Sequence, residues 1–268
     1  MFEFRQFIDA IKLKNDIVQT ISAFIPLDRY HKALCPFHVE KTPSFSVNAK
    51  GQYFHCFGCG AGGDVITFLM LIRHISFAQA LEELARSAGL TIPSLSDSDT
   101  REIEKDRLKF EILSATAHYY HNCLIPEVRD YLIKKRGFSE LTISDFQIGY
   151  ANGGLREHLV DKRGYHPDDC VNAGVLKQTP EGKIRDYFYN RVIFPNRRCG
   201  QIVHLSGRSF DVQEPKDLHL PGKIDFLFNE DALHNKEIII AEGIPDCITA
   251  IQAGYAAVGL SGVNGLTT

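Results

Sequence analysis

The sequence predicts an α+β chain in which a small β unit flanked by helices precedes a larger mixed α/β region. Three observations favour this class. Short aromatic and β-branched segments lie between residues 34 and 63, helical apolar periodicity surrounds them, and residues 237–268 alternate strand, helix and strand. The chain has 268 residues, 44% of them hydrophobic, which is enough for two modest domains and excludes a disordered chain.

The first elements follow from the spacing of apolar side chains. Residues 1–25 carry an apolar stripe close to helical spacing, which predicts one helix that ends before Pro26. Residues 45–47 and 53–57 are rich in aromatic and β-branched side chains, so they predict a β-hairpin with a short loop. Asp64 is expected to cap the helix that follows the hairpin.

A capping pattern and a polar segment divide the middle of the chain. Ser76 and Gln79 have the spacing of a capping box, which predicts a further helix. Residues 93–100 are too polar to join a core and are expected to form a linker. The predicted organisation has four parts: residues 1–92, a linker at 93–100, residues 101–236 and residues 237–268.

The C-terminal half predicts strands of two kinds. Residues 191–195 and 201–208, separated by a polar turn, predict an antiparallel hairpin. Residues 237–243 and 255–262 are apolar and predict two parallel strands, with Pro245 in the first turn of a helix between them. Parallel strands are normally buried on both faces, so a unit of only two strands is expected to expose apolar surface.

Composition limits the classes of function. The chain has no run of roughly 20 apolar residues for a membrane-spanning helix and no secretory signal, so we expect a cytoplasmic protein with no membrane partner. Seven cysteines in a reducing compartment favour metal binding or catalysis over disulfides. The net charge of −3 gives no overall attraction to nucleic acid, but residues 183–208 contain six bases and one acid.

Two cysteine and histidine pairs form the strongest motif. Cys35 and His38 are separated by two residues, as are Cys56 and Cys59, and seventeen residues lie between the pairs. A hairpin between the pairs brings both turns to one end, where three sulfurs and one nitrogen complete a tetrahedral zinc-ribbon site. We predict one structural zinc ion, because four protein ligands leave no position for water and so small a unit needs a metal to fold.

Two alternatives to this ligand set remain open. Cys56 and Cys59 are also compatible with a redox pair, in which case Cys35 is a buried thiol. His55 is a rival ligand, although it directly precedes Cys56 and lies on the opposite face of the strand if the pleat continues. The paired spacing favours His38.

The segment from Cys35 to Asp64 resembles the zinc ribbon of bacterial-type replicative DNA primases, including KTPSF at residues 41–45 and HCFGCGAGGD at residues 55–64. The resemblance implies that this ribbon contacts single-stranded template DNA. Lys41 is a candidate phosphate contact, and the neighbouring aromatic residues either stack on bases or fill the small core. These aromatic residues are Phe45, Tyr53, Phe54 and Phe57.

The resemblance continues in the second half. Residues 131–151 are similar to the opening of the primase polymerase domain, and residues 184–208 are similar to its basic motif. The resemblance implies that Arg185, Arg191 and Arg208 line a groove for template or nucleotide, and that Lys216 contacts a nucleotide phosphate. The alternative is a solvated hairpin face, which is the usual meaning of scattered arginines.

Residues 237–246, EIIIAEGIPD, resemble the first motif of the Toprim fold, which primases share with type IA and II topoisomerases. Glu242 lies at the carboxyl end of a parallel strand, where open α/β sheets place their sites. Carboxylates there hold the divalent cations of nucleotidyl transfer, so Glu242 is the candidate magnesium or manganese ligand and Asp246 a secondary one. Asp246 also has a simpler role, since an acid in the first turn complements the helix dipole.

These resemblances predict a DNA primase, a nucleotidyltransferase that makes short RNA primers on single-stranded DNA from ribonucleoside triphosphates, with a replicative helicase as partner. The mixed α/β polymerase domain is expected to end in an incomplete Toprim βαβ unit, because Thr268 comes before the family's Asp-x-Asp pair. We therefore expect this chain alone to be inactive. The rivals are a non-catalytic single-stranded-DNA-binding or regulatory protein of a phage or mobile element, and a Toprim nuclease.

Overall fold

The computed structural model describes residues 2–92, 97–211, 214–224 and 226–260. Its contacts divide the chain into two compact units. Unit 1 comprises Met1–Leu108 with Cys199–Gln201, and unit 2 comprises Lys109–Arg198 with Ile202–Thr268. Both contain helices and strands, so the predicted α+β class is confirmed.

Unit 1 surrounds a small four-stranded antiparallel sheet with helices. The order of strands in the sheet is β1-β2-β3-β4, and the predicted hairpin is formed by β2 and β3, with Phe45 opposite Cys56. The elements of this unit are α1 (Phe2–Lys14), α2 (Ile17–Ser22), β1 (Lys32–Ala33), β2 (Phe45–Asn48), β3 (Tyr53–Cys56), β4 (Gly62–Gly63), α3 (Val65–Arg73) and α4 (Phe77–Ala88).

The capping residues act as predicted. Asp64 accepts two backbone N–H bonds at the start of α3, at 3.1 and 3.0 Å, and Ser76 with Gln79 forms both bonds of the capping box of α4. The N-terminal stripe, by contrast, forms two helices rather than the one predicted. Asp16 interrupts it, because its side chain caps α2 and starts a new helix there.

Aromatic side chains fill the core of unit 1. Phe45 and Phe54 are fully buried and stack with ring centroids 5.2 Å apart, while Phe68 lies edge-on to Phe54 at 5.7 Å. Of the two roles left open for the ribbon aromatics, Phe45 and Phe54 therefore have the structural one and do not present a face to a base. Tyr53 and Phe57 are only half-buried.

A long helix runs from unit 1 into unit 2, and its start differs from the prediction. Helix α5 begins at Asp97, so residues 97–100 of the predicted linker are helical, and residues 93–96 lie outside the described residues. The elements are α5 (Asp97–Asn122), α6 (Pro126–Asp130), α7 (Glu140–Asp145), β5 (Gly149–Ala151), α8 (Pro167–Asn172), β6 (Leu176–Gln178), β7 (Ile184–Asp186), β8 (Arg191–Arg198), β9 (Gln201–Ser209), β10 (Asp217–His219), β11 (Ile239–Ala241), α9 (Ile244–Gln252) and β12 (Ala257–Gly259). Single π-helical turns cover Tyr131–Lys135 and Glu157–Lys162, and a 3₁₀ turn covers Glu230–His234.

Three sheets position the polar groups of unit 2. The main sheet has the order β10-β9-β8-β5, and only Cys199 and Gly200 connect β8 to β9, a shorter turn than the sequence predicts. A separate hairpin pairs β6 with β7. Strands β11 and β12 are parallel with α9 between them, which confirms the predicted βαβ unit, and Ile239 and Ile240 on β11 are 41% and 58% exposed.

Within the described ranges, no single helix has the length and apolarity needed to cross a membrane. Helices α3 and α4 pass that test only as a pair, and they are bent by 116° where they meet. Both contribute side chains to the core of unit 1.

Candidate metal centre and polar cleft

Four side chains of unit 1 converge at one end of the β2–β3 hairpin, as the sequence predicts. The ligand atoms of Cys35, His38, Cys56 and Cys59 all lie within 4.8 Å of one another. The Sγ atoms of Cys35 and Cys59 are 3.8 Å apart, and Sγ of Cys56 is 3.7 Å from Nδ1 of His38. Ligands bound to one tetrahedral zinc ion are about 3.6 to 3.8 Å from each other, so the donor set and its spacing fit zinc.

A glycine allows the two ligand pairs to approach each other. A Cβ atom on Gly58 would lie 2.6 Å from Nε2 of His38, closer than side chains tolerate. The glycine between Cys56 and Cys59 is therefore required for His38 to enter the cluster. The rival ligand His55 lies outside the cluster, and its ring packs edge-on against Phe57 at 4.9 Å.

Glu40 and Ser44 support the cluster, and sequence reasoning missed both. Glu40 accepts hydrogen bonds from the backbone N–H of Cys35 at 2.6 Å and from the Ser44 hydroxyl at 2.5 Å. Its Oε2 atom lies 3.2 Å from Nε2 of His38, and the Ser44 hydroxyl lies 3.1 Å from Sγ of Cys56. A carboxylate on the outer ring nitrogen fixes the tautomer and orientation of a metal-binding histidine. The position of Glu40, two residues after His38, is the signal that would have found it.

The same contacts shift the titration of these groups. Hydrogen bonds from the thiols of Cys35 and Cys59 hold the pKa of Cys56 far below its usual value, while the bond between Cys35 and Cys56 raises the pKa of Cys35. Partial burial would raise the pKa of Glu40, but the bonds from Ser44 and the Cys35 amide keep it below its usual value. Lys41, the predicted phosphate contact next to Glu40, is exposed.

Unit 2 contains a polar cleft of about 320 Å³. Strands β9 and β10 form one wall, and the residues that follow β11 together with the first turn of α9 form the other. The polar side chains that line it are Ser206, Arg208, Asp217, His219, Glu242 and Asp246. The structure thus brings the two predicted carboxylates and one predicted arginine into one site.

Glu242 and Asp246 lie on the same wall of this cleft. Glu242 directly follows β11, Asp246 is in the first turn of α9, and both are exposed. A Cβ atom on Gly243 would lie 3.1 Å from Oδ2 of Asp246, so this carboxylate lies against the residue next to Glu242. Carboxylate oxygens are suitable ligands for Mg²⁺ or Mn²⁺.

The predicted basic residues do not form one surface. Arg208 lines the cleft, is 19% exposed and pairs with Asp217 across the two strands at 3.5 Å. Lys216 and Arg185 are exposed, but neither lines the cleft. Arg191 is 2% exposed, which corrects the prediction that it lines a groove: its guanidinium donates to backbone carbonyls and has no surface to offer a ligand.

A stacked histidine pair lies beneath one wall of the cleft, and sequence reasoning missed it as well. His219 lines the cleft, its Nδ1 atom is 3.0 Å from the Ser206 hydroxyl, and its ring stacks on His204 at 5.8 Å. Burial lowers the pKa of both rings, that of His204 to about 4. Both imidazoles are therefore neutral at pH 7. Strand register places His219 opposite Ser206, but no sequence pattern predicts that the rings of His204 and His219 stack.

Known proteins match both units. The family model of the CHC2 zinc finger of DnaG matches residues 4–100, and the model of the N-terminal domain of the DNA primase catalytic core matches residues 118–229. The DNA primase of Haemophilus influenzae is 35% identical over 282 residues, which cover 96% of this chain and 47% of that protein. The DNA primase of Geobacillus stearothermophilus is 34% identical over 92% of this chain and 45% of its own length. The chain spans about half the length of the curated relatives it matches.

Solved structures agree with these matches. The zinc-binding and RNA polymerase domains of the Aquifex aeolicus primase superpose with a TM-score of 0.65 at 28% identity, covering 94% of this chain and 66% of that one. A DnaG primase catalytic domain bound to single-stranded DNA has a TM-score of 0.52 at 26% identity, covering 62% of this chain and 57% of that one. With a zinc ribbon in unit 1 and the primase core fold in unit 2, the chain belongs to the family of DnaG-type bacterial DNA primases.

Proposed function

We propose that this chain is the template-binding and active-site portion of a primase that synthesises short RNA primers on single-stranded DNA. The observation that carries the proposal is the cleft of unit 2, in which Glu242 and Asp246 lie across from Arg208. Phosphoryl transfer needs carboxylates that hold metal cations on one side of a nucleotide. It also needs a cationic side chain that binds the phosphates on the other side.

Glu242 and Asp246 would hold Mg²⁺ or Mn²⁺, and the ion would supply charge to bridge phosphates and help activate the attacking hydroxyl. The protein's own side chains bind and orient the nucleotide. Arg208 is held by Asp217 and presents its guanidinium to the cleft, where it meets the phosphates of a ribonucleoside triphosphate. The exposed Lys216 contacts a phosphate from outside the cleft.

The template proposal rests on both units. One relative of known structure is a catalytic domain bound to single-stranded DNA, and from it we infer the same ligand for this chain. In unit 1, zinc keeps the ribbon folded while the exposed Lys41 meets the backbone of the strand. A primase requires unwound template, so a replicative helicase is the partner we propose.

Metal binding at the cleft tests the assignment directly. Titration with Mn²⁺, followed by electron paramagnetic resonance on the zinc-loaded chain, should show a site that Glu242→Gln and Asp246→Asn each weaken. Glu237→Gln is the matched control, because Glu237 is an exposed acid just before β11 that does not line the cleft. Equal Mn²⁺ binding by the Glu242→Gln variant and the unmodified chain would overturn the proposed site.

Ribonucleotide incorporation tests the activity itself. A version extended by further residues of the primase should incorporate ribonucleotides on a single-stranded template when Mg²⁺ is present, and Glu242→Gln should abolish this. Oligonucleotide binding that persists in an extended version without any incorporation would favour the rival function, a non-catalytic single-stranded-DNA-binding protein.

A further inference from the structure

Four polar side chains of strands β9 and β10 share the face that lines the cleft of unit 2. In the antiparallel register Arg208 lies opposite Asp217, and Ser206 lies opposite His219. The first pair is an ion pair of 3.5 Å, and the second is a hydroxyl and an imidazole nitrogen 3.0 Å apart. The two pairs are two residues apart along each strand, so this wall of the cleft changes from charged to neutral over about 7 Å.

His219 is fixed through both its backbone and its ring. The Tyr187 hydroxyl donates to the His219 carbonyl oxygen at 2.9 Å, and the Nδ1 atom of the ring is bonded to the Ser206 hydroxyl. The other support is His204, which is buried, stacks on His219 and packs edge-on against Phe226. These contacts hold the imidazole in one orientation at the cleft. A side chain that must reach one atom of a ligand is prepared in this way.

The second ring nitrogen of His219, Nε2, is the one left for a ligand. Among the residues that the structure describes, none bonds to it. If Nδ1 donates to the Ser206 hydroxyl, Nε2 is an acceptor, and if the hydroxyl donates to Nδ1, Nε2 is a donor. A hydroxyl group of a ligand is both donor and acceptor, so it matches Nε2 in either case. A phosphate is less suitable, because burial lowers the pKa of His219 and the ring is neutral at pH 7.

We propose that His219 binds the 2′-hydroxyl of the nucleotide in the cleft and thereby selects ribonucleotides over deoxyribonucleotides. The proposal rests on the proposed function, in which Arg208 binds the phosphates of that nucleotide. The sugar of a nucleotide adjoins its phosphates, and His219 lies one step along the wall from Arg208, where the sugar begins. The 2′-hydroxyl is the group that allows a protein to distinguish a ribose from a deoxyribose.

Nucleotide binding to the zinc-loaded chain tests the proposal without primer synthesis. Isothermal titration calorimetry in the presence of Mg²⁺ measures the affinities for ATP, 2′-deoxy-ATP and 3′-deoxy-ATP. The unmodified chain should bind ATP about 10-fold more tightly than 2′-deoxy-ATP, because the deoxynucleotide leaves the polar Nε2 atom without a partner. The affinity for 3′-deoxy-ATP should stay close to that for ATP. Preference against the 3′-deoxynucleotide alone would overturn the proposal.

Substitution of His219 should abolish the preference for the ribonucleotide. His219→Ala should weaken the binding of ATP about 10-fold, leave that of 2′-deoxy-ATP unchanged and so bring the ratio of the two affinities close to 1. His219→Gln should restore part of the ratio, since its side-chain amide again offers a donor and an acceptor. His234→Ala is the matched control, because His234 is an exposed histidine of unit 2 that does not line the cleft.

The outcomes separate this role from a structural one and from the proposed function. Equal losses of affinity for ATP and 2′-deoxy-ATP in the His219→Ala variant would mean that the ring only supports the fold, which overturns the proposal. A ratio equal to that of the His234→Ala control would overturn it as well, while weaker binding of ATP by Glu242→Gln would still support the proposed function. If none of the three nucleotides binds to the unmodified chain, the proposed function itself is overturned, and the role of His219 with it.

Discussion

Arg191 donates from Nη1 to the backbone carbonyl oxygens of Lys216 at 3.3 Å and Gly207 at 3.4 Å. The donor belongs to β8, Gly207 belongs to β9, and Lys216 directly precedes β10. One buried cation thus fixes the backbone on which the exposed Lys216 is presented. Arg191 acts on a ligand only through that backbone, so it is a positioning residue.

Replacement of Arg191 should cost stability rather than remove a ligand contact. We expect Arg191→Leu to lower the free energy of unfolding of unit 2 by about 2 to 4 kcal/mol, because the buried guanidinium and its hydrogen bonds to the Gly207 and Lys216 carbonyl oxygens are lost. Lys216→Ala should change it by no more than about 0.5 kcal/mol. Urea denaturation followed by circular dichroism measures both. An Arg191→Leu protein as stable as the unmodified chain would show that the guanidinium does not tie the strands together.

Local patterns in the sequence were enough for most of the elements and for the candidate zinc ligands. Each candidate ligand pair, Cys35 with His38 and Cys56 with Cys59, lies within four residues of chain, and a single hairpin joins the two pairs. The caps at Asp64 and Ser76 are equally local, so the pattern contains most of each interaction. The same holds for the βαβ unit around Pro245. These predictions needed no knowledge of how distant segments pack.

Burial of charged and aromatic residues was not predictable in this way. Arg191 and the exposed Arg185 occur in the same basic stretch, but which of them faces a carbonyl depends on strand β9 and on the segment before β10. Likewise Phe45 and Phe54 are aromatic residues of a ribbon, and only the approach of Phe68 from α3 makes them core. Whether such a side chain is buried or available to a ligand depends on tertiary contacts, which cannot be read from the sequence pattern.

The purified chain should contain one zinc ion per molecule. Cys59→Ser should remove it and unfold unit 1, because so small a sheet depends on the metal, while unit 2 should remain folded on its own core. Elemental analysis gives the zinc content, and amide hydrogen exchange reports each unit separately. Cys170→Ser is the control, since Cys170 is a buried cysteine of α8 outside the cluster. Full zinc content in the Cys59→Ser variant would contradict the ligand assignment.

Glu40 should contribute to zinc affinity without being a ligand. We expect Glu40→Ala to weaken zinc binding by roughly 10- to 100-fold, because His38 and Ser44 lose the carboxylate that orients them. Competition with a chromophoric chelator measures the affinity, and Glu40→Gln should restore part of it. Val39→Ala is the matched control, since Val39 is the neighbouring residue and is fully exposed. Equal affinities for the Glu40→Ala and Val39→Ala variants would exclude the supporting role.

The ion pair between Lys12 and Asp64, 2.8 Å long, should make unit 1 sensitive to acid. Burial would raise the pKa of Asp64, but the charge of Lys12 and the hydrogen bonds from Thr67 hold it below the usual 3.8. The stabilisation is therefore complete above the unfolded pKa and is lost as the pH falls through the lower folded one. Asp64→Asn should cost about 1 to 2 kcal/mol at pH 7, and less as the pH falls from 4 to 2.

Thermal unfolding of unit 1 at several pH values tests this prediction. Glu82→Gln is the control, because Glu82 is an exposed acid of α4. A difference between the Asp64→Asn variant and the unmodified chain that stays constant from pH 7 to pH 2 would mean that the charge of Asp64 contributes nothing.

His204 should make unit 2 lose stability at mildly acidic pH. Burial, the neighbouring His219 and the charge of Lys109 lower the pKa of His204 from 6.5 to about 4. Between these values the unfolded chain binds a proton that the folded chain does not, so stability is full above pH 6.5 and decreases as the pH falls towards 4. The expected loss over this range is about 3 kcal/mol.

His204→Phe keeps an aromatic ring against Phe226 and His219 but removes the proton site, so it should flatten most of this pH dependence of stability. Urea denaturation at pH 7, 5.5 and 4.5 measures the slope, with His166→Phe at an exposed position as the control. A His204→Phe variant that loses stability as steeply as the control would show that acid acts on unit 2 through other groups.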